Sequence, residues 1–274
     1  MKFTIGADPE LFLTDRAGHF VSAVGLIGGT KKEPLQVATY AKGFCVQEDN
    51  VAAEFNIPPS DNAQVFAENI DLMVNYLAVK AGELKLQIKI VPSARFDPAE
   101  LKNASTLVFG CDADFNAWTG KQNPKPQCDD AQLRTCGGHV TVGTDLPSRM
   151  CIRAEDLYLG AASILIDNDV RRRQLYGAAG CYRETTFGHE YRVLSNFWIT
   201  SIERTKWIYE GIRRSLVAVT GALAAGIDEE DFLEDDRSLI EAAINKGIRS
   251  AVYTLDKKYD ILIGCPRLPA YSDM

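Results

Sequence analysis

Stretches with a two-residue hydrophobic repeat and stretches with a helical repeat share this chain, but they do not alternate one with the other. Residues 84–90 set Leu84, Leu86, Ile88 and Ile90 against Lys85, Gln87 and Lys89, the pattern of a half-buried strand. Val65, Phe66, Ile70, Met73, Val74 and Leu77 recur at helical spacing. Ahead of them, Pro58-Pro59 stops a short strand over 51–57, and Ser60 or Asp61 offers a cap. Helical patterns return over 154–166, 203–225 and about 237–246. Phe3-Thr4-Ile5, Glu10 to Thr14 and 138–143 read as strands, and Asp15 to Gly18 supplies the turn that brings His19-Phe20-Val21 back as a hairpin. A doubly wound parallel sheet would interleave a helix after nearly every strand. The expected class is therefore α+β.

The 274 residues fit one large domain spanning 1–274. With 30 basic and 37 acidic side chains the net charge is −7, which gives no overall pull toward nucleic acid. Arg171-Arg172-Arg173, the densest positive cluster, reads as a solvated helix end, and the acidic run from Asp228 to Asp236 as a solvated linker or helix start with no metal role. Apolar runs fall short of the roughly 20 residues a membrane span needs. The N-terminus meets charge too early for a secretion signal, so a cytoplasmic protein is expected. The seven cysteines include no C-x-x-C pair, and Cys128, Cys136 and His139 lack regular zinc spacing. Gly28-Gly29 has no phosphate-loop spacing and reads as a surface turn, and 120–130 as a loop.

Four short segments put metal-capable side chains inside apolar, strand-like surroundings: Gly6-Ala7-Asp8-Pro9-Glu10, Ala53-Glu54-Phe55-Asn56, Gly137 to Gly143, and Arg183 to Arg192. Asp8 and Glu10 stand two apart, so on a strand they share a side, and Glu190 and Arg192 have the same relation. Carboxylates held together repel and favour a divalent cation, and oxygen ligands with one histidine suit Mg2+ or Mn2+. Arginines beside such an ion hold phosphate through their planar fork. The combination points to phosphoryl transfer.

The order of these motifs carries more than any one of them. An acidic motif, a glutamate before Pro-Pro, Gly-Gly-His-x-x-x-Gly and then Arg…Gly-x-Glu-x-Arg resembles the glutamine synthetase and glutamate–cysteine ligase superfamily. The opening Gly-Ala-Asp-Pro-Glu-Leu-Phe-Leu and the later Phe-Gly-His-Glu-Tyr-Arg-Val-Leu look most like the phage-associated carboxylate–amine ligases called type 2. The resemblance implies a glutamine-synthetase-like catalytic domain: a curved, mostly antiparallel sheet, helices packed on its outer face, and a concave face for ATP and at least two Mg2+ or Mn2+ ions. It implies metal ligation by Asp8, Glu10, Glu54, His139 and Glu190. It implies phosphate contacts from Arg183, Arg192 and His139, and catalytic roles for Glu54, Arg183, Glu190 and Arg192. Two departures bear on the metal count: Asp8 stands where glutamate is usual, and Thr141 where many relatives repeat a histidine. Glu48 and Asp49 are further acidic candidates without an assigned role.

The reaction implied is attack of a carboxylate on the γ-phosphate of ATP, then displacement of phosphate by an amine. Small-molecule or peptide acids and amines are the implied partners. Three other readings remain at this level: a guanidino-type phosphotransferase on the same fold, a non-catalytic phage structural or interaction protein, and a metal-dependent hydrolase.

Overall fold

A computed structural model describes residues 2–103, 106, 114–167 and 169–266 of the protein, and every candidate site residue lies among them. Its centre is one twelve-stranded sheet, and every ladder between these strands is antiparallel. The main order is Lys121–Gln122, Phe115–Asn116, Cys181–Thr185, Gly188–Tyr191, Val140–Gly143, Thr4–Ala7, Ala52–Ser60, Glu10–Thr14, Phe20–Val21. Cys45–Asp49 lines the other edge of Ala52–Ser60 and itself pairs with Leu35–Gln36, while Gln87–Lys89 joins Glu10–Thr14. A separate small ladder joins Ser93–Arg95 to Leu133–Thr135. The expected α+β class with a mostly antiparallel sheet is what the chain forms.

Alternation along the strands sorts the side chains into two layers. Ile5, Ala7, Leu11, Ala53, Phe55, Ile57, Val140, Val142 and Tyr191 are buried in one core with the helices Ala63–Glu83 and Ile202–Ala224. Each fully buried aliphatic or aromatic side chain there contributes roughly 1.5–3 kcal/mol. Phe66 of the first helix stacks on Trp198 with ring centroids 5.9 Å apart, and packs against Tyr209 of the second. The first helix starts where the Asn62 side chain accepts the N–H groups of Gln64 and Val65. Asn62, rather than Ser60 or Asp61, is the cap.

Several expectations needed correction. The strand predicted to stop at Pro58 runs on to Ser60, because Ile57 and Ser60 pair with Ala7 and Ile5 across a register shift. Prolines lack only the donor, and a strand edge with an irregular ladder tolerates that loss. The strand predicted over 84–90 shrinks to Gln87–Lys89, since the helix continues to Glu83 and the N–H groups of Leu84, Lys85 and Leu86 close its end on Ala81 and Gly82. The helix predicted to begin at 154 begins at Ser148 and widens into a π-helical turn over Asp156–Ala161. Lys121–Gln122 is a short strand within the predicted loop. The helix Arg249–Tyr259 had not been read, and the helix end read at Arg171–Arg173 belongs to a short helix, Val170–Leu175.

The basic cluster is not the solvated helix end expected of it, whereas the acidic run is largely exposed and leads into the helix Arg237–Lys246, as expected. Arg172 and Arg173 are each 1% exposed, and only Arg171 reaches solvent. In the acidic run, Glu229 and Glu230 pair with Arg149, and Asp236 is buried beneath Lys258 and Tyr259. No helix among the described residues is long and apolar enough to cross a membrane.

Candidate active site

The sheet face opposite the main core carries the polar residues singled out above. Direct cross-strand pairing aligns Arg183 with Glu190, Glu190 with Thr141, and Thr141 with Gly6. Two residues further along each strand path stand Cys181, Arg192, His139 and Asp8, which therefore share that face. The row continues where Glu10 pairs directly with Glu54 and Glu54 with Gln47, and Asp49 lies two residues beyond Gln47.

A bend in the N-terminal segment makes this row possible. Thr4–Ala7 and Glu10–Thr14 follow one another along the same edge of Ala52–Ser60, and Asp8-Pro9 forms the joint. Pro9 cannot donate to the ladder, but its carbonyl accepts the Phe55 N–H at 3.3 Å. On the other side the N–H of Glu10 reaches the Gly137 carbonyl at 3.0 Å, and Gly137 returns its own N–H to the Glu10 carboxylate at 2.7 Å.

Two donor triads result. Asp8, His139 and Glu190 each offer a ligand atom within 4.8 Å of the others, and so do Glu10, Asp49 and Glu54. Glu190 bridges three cationic or polar neighbours: it pairs with Arg192, lies 3.3 Å from Arg183 Nη1, and sits 3.6 Å from His139 Nδ1. Five carboxylates thus face two guanidinium groups.

Burial first, and then the crowding of charge, sets the proton affinity of these groups. Burial, then the Glu190 charge, holds the Asp8 carboxyl well above the usual carboxylate range. Burial and Asp49 push Glu10 up to about 7, and burial with Asp8, Glu10 and Asp49 raises Glu54. His139 moves the other way: burial, then Arg192, Arg172, Arg183 and Lys31, keeps its imidazole neutral and so able to give a lone pair. Asp8 Oδ1 is buried and meets no hydrogen-bond donor in the protein. A buried acceptor without a donor among crowded carboxylates fits a hard divalent cation.

Close packing holds the face in shape. A Cβ on Gly137 would fall 2.4 Å from His139 Nε2, and one on Gly138 would fall 2.3 Å from the Ser195 carbonyl oxygen and 2.5 Å from Trp198 Nε1. The double glycine before His139 is therefore a matter of room. Arg172 works from behind: its guanidinium donates to the carbonyls of Cys136, Val193 and Leu194 at 2.8, 2.9 and 2.8 Å. Those carbonyls lie just before His139 and just after Arg192, so one buried side chain ties the two strands together. Glu48 faces away from the triads, and its carboxylate accepts the N–H groups of Gly25, Ile27 and Gly28.

All seven residues expected at the site therefore meet on one face: Asp8, Glu10, Glu54, His139, Arg183, Glu190 and Arg192. Sequence reasoning had left Asp49 without a role and misread Arg172. Two-residue alternation along 45–49 would have separated Asp49 and Gln47 from Glu48, had that stretch been read as a strand.

His139, Arg183, Glu190 and Arg192 all fall within the segment of the chain that matches a known family. Residues 130–223 match the family described as phage phiEco32-like COOH-NH2 ligase type 2, which bears out the resemblance seen in the motifs. A search among solved structures finds GmaS without ligand at 12% identity and a TM-score of 0.37, covering 100% of this chain and 73% of that one. GmaS with ADP matches at 11% identity and 0.37, over 94% and 68%. No curated protein matches the chain.

Proposed function

We propose that this protein is an ATP-dependent carboxylate–amine ligase that works through an acyl phosphate. The observation that carries the reading is the pair of triads beside two arginines, with Asp8 Oδ1 buried and lacking a donor. Asp8, His139 and Glu190, and separately Glu10, Asp49 and Glu54, would hold Mg2+ or Mn2+, which when bound neutralises phosphate charge. Neutral His139 offers a ligand nitrogen that no proton occupies. Arg183 directs Nε and Nη2, both buried and without an acceptor in the protein, at the charge that develops on the transferring phosphoryl group. Arg192, fixed by Glu190, presents its planar fork beside it. The acid's carboxylate attacks the γ-phosphorus and ADP leaves; the amine then attacks the acyl carbon and phosphate leaves.

The test is ADP release by purified protein with MgCl2 across pools of amino acids, peptides and polyamines, followed by mass spectrometry of the products. The expected product is an amide whose formation needs acid and amine together. ADP formed with a guanidine and no amine would instead indicate a phosphotransferase, and no nucleotide turnover with any pool would overturn the reading.

A further inference from the structure

The strand Gly188–Tyr191 carries Glu190 on the open face, so its neighbours His189 and Tyr191 point the other way, into the protein. Both are 0% exposed. They meet the end of the helix Ser148–Glu155, where it passes into the π-helical turn Asp156–Ala161. His189 Nε2 and Glu155 Oε1 stand 2.8 Å apart, and Tyr191 donates its hydroxyl to Asp156 Oδ1 at 2.9 Å. Asp156 Oδ2 accepts from Trp118 Nε1 at 2.7 Å and from the Gly180 N–H at 2.6 Å, just before the strand that bears Arg183. Gly160 leaves room for this, since a Cβ there would fall 2.5 Å from the Tyr191 hydroxyl oxygen. Two consecutive carboxylates thus grip the residues on either side of Glu190, from the buried side of the sheet.

Cohesion alone does not call for this arrangement. Glu155 and Asp156 are both 0% exposed, and Glu155 Oε2 and His189 Nδ1 are buried without a partner in the protein. Apolar side chains of similar volume would join helix to sheet at least as firmly. What the polar contacts add is direction, because a hydrogen bond tolerates little error in distance or angle. We infer that Glu155 and Asp156 are positioning residues for the metal centre: by holding His189 and Tyr191 they set where the Glu190 carboxylate stands relative to Asp8 and His139. The inference rests on the metal-binding part of the ligase reading. The Glu10–Asp49–Glu54 triad stands on other strands, so the clamp governs one ion site and leaves the second alone.

Mn2+ binding to the full-length protein, without nucleotide, is followed by titration calorimetry and electron paramagnetic resonance. Glu190→Gln and Asp49→Asn first assign the two binding events to the two triads. Tyr191→Phe then removes the hydroxyl that Asp156 holds, and Glu155→Met combined with His189→Phe replaces the other contact by an apolar one. Each is expected to weaken Mn2+ at the Glu190 site roughly ten- to a hundredfold and to leave the other site within about twofold. The combined variant is expected to match or exceed the wild-type Tm in EDTA, which separates position from stability. If it folds poorly, Tyr191→Phe carries the test. Leu216→Ala, in the core helix Ile202–Ala224, should lower Tm and leave both sites as they are. Unchanged affinity at the Glu190 site, both sites weakening together, or Leu216→Ala weakening that site as much would each overturn the inference. No Mn2+ bound by the wild-type protein would overturn the metal reading itself, and the inference with it.

Discussion

Replacing Glu10 by glutamine should make the metal-free protein more stable. Glu10 is held at about 7 against an ordinary value of 4.5, chiefly by burial and then by Asp49. A carboxyl whose folded value is raised binds its proton more tightly in the native state, so stability falls as pH rises between the two values. That difference corresponds to roughly 3 kcal/mol at pH 8 and under about 1 kcal/mol at pH 5. Glutamine keeps the shape and an oxygen that accepts the Gly137 N–H, so Glu10→Gln removes the penalty without removing the contact. For a chain of this length about 2 °C in Tm accompanies each kcal/mol, giving an expected gain of roughly 3–6 °C at pH 8 in EDTA and little at pH 5. Added MnCl2 should raise the wild-type Tm and narrow or reverse the gap, because the ion binds only the folded carboxylates. Thermal denaturation at the two pH values, with EDTA and with MnCl2, reads all four numbers. A variant less stable than wild type at pH 8 in EDTA, or one with an undiminished manganese response, would refute the reasoning.

Other substitutions probe the rest of the site. Arg192→Lys keeps the charge but loses the fork, and ADP release should fall roughly a hundredfold with an unchanged circular dichroism spectrum; near-normal turnover would remove Arg192 from the phosphate. Arg172→Met takes a donor from three buried carbonyls, of which Leu194's keeps the Gly138 N–H, and should cost roughly 2–4 kcal/mol in urea denaturation. Gly138→Ala forces a methyl into the Ser195 carbonyl and Trp198, and should cost about 2–3 kcal/mol or prevent folding, visible as lost Trp198 burial in fluorescence.

How far the sequence reached depends on what each residue's partner is. Asp8, Glu10, Glu54, His139, Glu190, Arg183 and Arg192 were legible because each sits in or directly beside an apolar strand, where a polar side chain must have a reason. Asp49 was not, since its face is set by hairpin pairing with Ala52–Ser60 rather than by its own short strand. Arg172 was misread because its partners are main-chain carbonyls, which no side-chain pattern reveals. The strand through Pro58-Pro59 was missed for a related reason: a proline rule describes the donor a residue lacks, not the neighbour that does without it.

The donor triads draw on widely separated parts of the chain, with Asp8 near the start and Glu190 two-thirds along. No contiguous fragment short of that span carries a complete Asp8–His139–Glu190 set. An ion bound there would act as a clasp across about 180 residues of intervening chain, worth most where loop closure is costliest. Only the assembled sheet would hold such an ion, so a nick anywhere between those ligands should be felt as weakened ion retention well before it is seen in the shape of the molecule.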